Sequence, residues 1–110
     1  MRRLPPALAA DATPRILALL GEPPARVLEL GLAGIQATPL RLAGFEVVVV
    51  ELDADFVESA RERAGEVLTE PPAGAFDAVV APEGADLDGV DARTTLLLRQ
   101  DGSVWSSASS

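Results

Sequence analysis

Val47 to Val50 are four consecutive valines. Side chains branched at Cβ suit a pleated strand better than a helix. An unbroken apolar run leaves neither face for water, so such a strand needs cover on both sides, as in the interior of a parallel sheet. The residues before it fit the same scheme. Arg26 to Leu30 (RVLEL) predicts a first strand, and Gly31 to Gly34 (GLAG) a tight turn into a helix that runs to Ala43. Gly44 ends that helix, and Glu46 to Leu52 form the second strand. Pro39 falls inside the helix, where a proline removes a backbone bond and favours a kink.

The alternation continues. Asp53 or Asp55 is placed to cap a helix that reaches about Ala64 and stops at Gly65. Val67-Leu68 is a very short strand candidate, and Phe76 to Ala81 (FDAVVA) is another buried strand. Residues 82–92 are acidic and contain glycine, with at most a weak helix. Thr95–Leu98 and Ser103–Trp105 flank Gln100-Asp101-Gly102, a turn signal. Upstream, Thr13-Pro14 is a helix start, with Thr13 as cap. The expected fold is therefore α/β, an open and mainly parallel sheet of about five strands with flanking helices. Residues 1–24 form an N-terminal helical lead, 25–105 the core, and 106–110 (SSASS) a disordered tail.

Composition narrows the partners. A length of 110 residues fits one domain. The net charge is −8, which repels nucleic-acid phosphates and anionic lipid heads, so neither is a favoured partner. All nine cations are Arg, and the chain has no His, Cys, Lys or Tyr. Disulfides and a thiolate nucleophile are excluded, no metal site is expected, and a general base would have to be a carboxylate. No apolar run approaches the roughly 20 residues that span a bilayer. Pro5, Pro6 and Asp11 interrupt any signal-peptide core, so the expected location is the cytoplasm.

The chemistry lies between Val27 and Arg61. A first strand carries Glu29, a glycine turn opens a helix, and a second strand ends in Glu51 about twenty residues on. Open α/β sheets bind nucleosides outside the carboxyl ends of their strands in this arrangement. Glycines let the backbone approach a ligand, and the acid after the second strand can accept ribose hydroxyls. Glu29 sits between Leu28 and Leu30 and needs partners if buried.

These residues resemble the class I S-adenosylmethionine-dependent methyltransferases, which have a Rossmann-like core. The resemblance runs through Glu29, Gly31 and Gly34, then Pro39-Leu40, Gly44, the valines and Glu51, and weakly through residues 76–105. It implies S-adenosylmethionine as cofactor. Gly31, Ala33 and Gly34 would lie near its methionine part and Glu29 by the methionine ammonium. Glu51 would lie on the ribose, and Leu52 or Asp53 beside the adenine. Ala33 stands where the family usually has glycine, and the turn is one residue shorter. The resemblance names no methyl acceptor and no catalytic residue. A second reading is a non-catalytic, truncated form acting as an interaction or dimerisation module, in which the Leu96–Leu98 strand is an exposed sheet edge that pairs with a partner or with a second copy as a homodimer. NAD binding ranks third, because GLAG lacks the full GxGxxG pattern.

Overall fold

The computed structural model describes residues 5–107. The first four residues of the helical lead and the last three of the serine-rich tail lie outside them. In chain order the elements are α1 (Pro6–Asp11), α2 (Thr13–Leu20), β1 (Arg26–Leu30), α3 (Ala37–Leu42), β2 (Glu46–Val50), α4 (Val57–Ala64), β3 (Ala75–Pro82), β4 (Asp91–Leu98) and β5 (Val104–Ser106). The five strands form one sheet in the order β2-β1-β3-β4-β5. The pairs β1/β2, β1/β3 and β3/β4 are parallel, and β4/β5 is antiparallel. The valine run pairs with β1 from Val47↔Val27 to Val50↔Leu30. Among the described residues, no helix is long and apolar enough to cross a membrane.

The helices cover one face of the sheet. Ile16 of α2, Leu40 of α3, and Ala60 and Ala64 of α4 share a core with Val27, Val47, Val49 and Leu96. On the opposite face Leu28, Leu30, Val50, Phe76 and Val79 form a second cluster, joined by Leu68, Ala85, Leu87 and Val90 from loops. The expectation of flanking helices is thus met on one side only. The reason lies in the connections. After α4 the chain makes a single parallel bridge, Val50↔Leu68, at the outer side of β2. It then returns past β2 and β1 to β3 through Thr69–Gly74, a segment too short and too rich in proline and glycine for a helix. The link from β3 to β4, residues 83–90, is likewise a loop, with Asp86, Asp88 and two glycines.

Three local expectations are corrected. The helix after the glycine turn is α3, six residues long, and it starts at Ala37. Residues 31–36 are spent on successive turns, with Ile35 N–H donating to Leu32 O and Ala37 N–H to Gly34 O. Pro39 therefore falls in the first helical turn, where N–H groups have no partner within the helix, and no kink is required. Thr13 is the first residue of α2 rather than its cap, and its hydroxyl is turned to Gln36 Oε1 at 2.7 Å. The strand β5 extends into the tail. Ser106 is buried in it, and Ser107 Oγ accepts from Thr95 N–H at 2.9 Å.

Asp53 does cap the segment before α4, its Oδ1 accepting from Asp55 N–H at 3.0 Å. The Gln100–Gly102 turn closes the β4/β5 hairpin, with Arg99 N–H on Ser103 O and Gly102 N–H on Arg99 O.

Candidate functional site

The turn after β1 is built on two buried acids. Glu29 is 0 % exposed and Glu51 is 1 % exposed. Both occupy the helix-covered side of the sheet, in phase with Val27 on β1 and Val49 on β2. Glu29 Oε2 accepts from Gln36 N–H at 2.7 Å. Glu51 Oε1 accepts from Ala33 N–H, and its Oε2 from Asp53 N–H, both at 3.1 Å. The carboxylates thus act as acceptors for backbone donors that no helix satisfies. They clasp the two ends of the turn, Ala33 and Gln36.

Burial pushes the Glu29 carboxyl up to about 7. The Glu51 carboxylate adds to that rise, while the amides of Gln36 and Gly34 and the Arg41 guanidinium oppose it. Glu29 Oε1 has no hydrogen-bond partner among the described residues. A protonated, half-satisfied acid in a dry environment is the form that desolvation favours.

Ala33 has φ +54, a left-handed conformation unusual for alanine. It is held from both sides. Its N–H is on Glu51, and its carbonyl accepts from Arg63 Nη1 of α4 at 3.0 Å. Such a conformation persists where the surroundings over-determine it, as these two bonds do.

Gln36 was not singled out from the sequence, yet it is the hub of the turn. It is fully buried, its side-chain amide donates to Ala9 O of α1, and its Oε1 takes the Thr13 hydroxyl. It ties both lead helices to the end of β1. A lone Gln between Ile35 and Ala37, in an otherwise apolar turn, is the signal that could have marked it.

Above this turn lies a cavity of about 400 Å³. Its floor is Gly31, Leu32, Ala33 and Ile35, and its walls are Pro5, Pro6 and Ala9 of the lead with Phe56, just before α4, and Ser59 and Arg63 of α4. The volume falls within the roughly 300–1,000 Å³ usual for small-molecule sites. Of the sequence candidates, Gly31 and Ala33 face the cavity. Glu29, Gly34, Glu51, Leu52 and Asp53 are not among its lining. Gly34 lies beneath α4, against Ala60 and Ala64. Leu52 is half exposed, and Asp53 is partly buried at the cap before α4. Phe56, Ser59, Arg63 and the lead prolines line the site, and no motif or spacing marks them for it. Contact between the lead and α4 depends on tertiary packing, which no local pattern encodes.

No protein-family model matches the chain, and no curated protein matches it either. Among the described residues no group of three or more acids, His or Cys is arranged to hold a metal ion.

Proposed function

We propose that the chain is a Rossmann-like domain that binds a nucleoside-bearing small molecule of the S-adenosylmethionine type in the cavity above the Gly31–Ala33 turn. One observation carries the reading: an apolar hollow of about 400 Å³ sits on a glycine turn at the carboxyl end of β1. The strand order reverses at β1, between β2 on one side and β3 on the other. Ligands of open α/β sheets bind at such a switch point. Glu29 and Glu51 serve this reading by holding the turn in shape. Glu51 is 1 % exposed and is not part of the cavity lining, so a ribose hydroxyl reaches it only if the turn opens.

Calorimetric titration with S-adenosylmethionine, S-adenosylhomocysteine and NAD tests it. Micromolar binding of the sulfur nucleosides, at least tenfold tighter than NAD and so worth about 1.4 kcal/mol, is the expected result. No heat from either sulfur nucleoside on folded protein rejects the reading. Methyl transfer to an acceptor is a further step, and no residue of the site is assigned to it.

One observation favours a second reading, an interaction module. The leucine strand β4 is paired on both sides, by β3 and β5, so the edge is β5: Trp105 is 41 % exposed on it, beside Leu97, and among the described residues β5 pairs only with β4. An uncovered strand edge is a template for pairing with another chain. A dimer by sedimentation, lost on Trp105→Asp, is the expected result for this reading, and a strict monomer at high concentration counts against it.

A further inference from the structure

We infer that Arg63 makes the cavity selective for a ligand that carries a carboxylate. This inference rests on the small-molecule reading above and names the chemical class of the group bound. The polar side chains of the described lining residues are the Arg63 guanidinium and the Ser59 hydroxyl, and there is no acid among those residues. In a chain of net charge −8, a cavity whose one charged group among the described lining residues is a cation is an exception to the surrounding field.

The guanidinium is also prepared for the task. One of its N–H groups is fixed on Ala33 O at 3.0 Å, which orients the planar fork. Of the five N–H donors of an arginine, the rest remain available for a planar anion. Among the described arginines, Arg26, Arg61, Arg93 and Arg99 have acid partners, Glu46, Glu58, Asp77 and Glu83, while Arg15 and Arg41 are held on backbone carbonyls away from the cavity. Arg63 makes no ion pair among the described residues. Ser59 lies one helical turn before it on α4, so the hydroxyl and the guanidinium lie on the same helix face. The apolar remainder, Leu32, Ile35 and Phe56 with the lead prolines, suits a flat, largely apolar nucleoside body beyond the carboxylate.

The test uses two probes that differ by one group: S-adenosylmethionine and its decarboxylated form. Folded wild-type protein is expected to bind the carboxylate-bearing probe at least tenfold more tightly. Arg63→Gln is expected to weaken that probe at least tenfold and to leave the decarboxylated one within about twofold. Arg63→Lys, which keeps the charge and loses the fork, is expected to keep part of the preference. Equal loss of both probes in Arg63→Gln would mean that the side chain serves only as a clamp on Ala33, and overturns the inference. Unchanged binding of both in that variant, or equal binding of both by the wild type, overturns it while leaving the cofactor reading intact. Failure of the folded wild type to bind either probe overturns both.

Discussion

Gly34→Val is expected to cost about 3 kcal/mol or more, enough to unfold much of a small domain whose whole margin is of order 5–15 kcal/mol. Two effects combine. Gly34 has φ +75, a region that costs an L side chain about 1–2 kcal/mol. A Cβ there would also stand 3.0 Å from the Ala60 carbonyl oxygen and 3.3 Å from Ala64 Cβ. The first of these is helix backbone, so the strain has to be relieved by moving α4 away from the turn. Overpacking of this kind typically costs about 1–3 kcal/mol more.

Gly31→Ala provides the control. Gly31 has φ +74, but a Cβ there meets only Pro82 Cδ at 3.4 Å and Cγ at 3.6 Å, ordinary contacts. Its expected cost is the conformational part alone, about 1–2 kcal/mol. Urea unfolding followed by circular dichroism compares the two. Equal costs for both variants would show that α4 does not rest on the turn as described.

The same two glycines show how much of the fold was legible in the sequence. That Glu29 and Glu51 would come near the ends of two strands followed from spacing and strand period, which are local properties, whereas the register sets Glu29 opposite Val49 and Glu51 two residues further on. The valine run and its parallel pairing were legible for the same reason. The face toward which the helices gather was not. Residues 69–74 and 83–90 do carry the proline, glycine and acidic signals of loops, but which face of the sheet they leave to loops depends on β3 pairing with β1, a contact between residues about fifty apart. The roles of the two acids were half legible. Their burial was expected for Glu29, but a pattern of letters does not distinguish a carboxylate aimed at a ligand from one spent on Ala33, Asp53 or Gln36 amides. Arg63 was illegible and Gln36 only faintly marked, as a lone polar residue in an apolar turn, because each gains its meaning from a partner about thirty residues away, Ala33 for one and Ala9 for the other.

The Glu29 carboxyl gives the second large effect, and its sign runs against the usual one for an acid. An Asp or Glu stabilised by a cation or by amides has a lowered pKa and loses its contribution as pH falls. Glu29 is raised from 4.5 to about 7, first by burial and then by Glu51. The unfolded chain releases this proton near 4.5, and the folded chain keeps it to about 7. Between those values the native state holds the extra proton, so stability falls as pH rises and levels off above 7. The full change corresponds to about 3 kcal/mol.

Glu29→Gln removes the titration and keeps an oxygen for Gln36 N–H. The other acids are common to both proteins, so their slopes cancel in the difference. Near pH 4 the two proteins are expected to differ by a constant set by the amide substitution. Above pH 7 the wild type is expected to have lost about 3 kcal/mol relative to the variant, read from urea midpoints across the pH series. A difference that does not change between pH 4 and 8 would place the Glu29 carboxyl at its ordinary value. Glu29 would then have water or a counter-charge beside it, and the turn would not be the dry clasp on which the cavity floor stands.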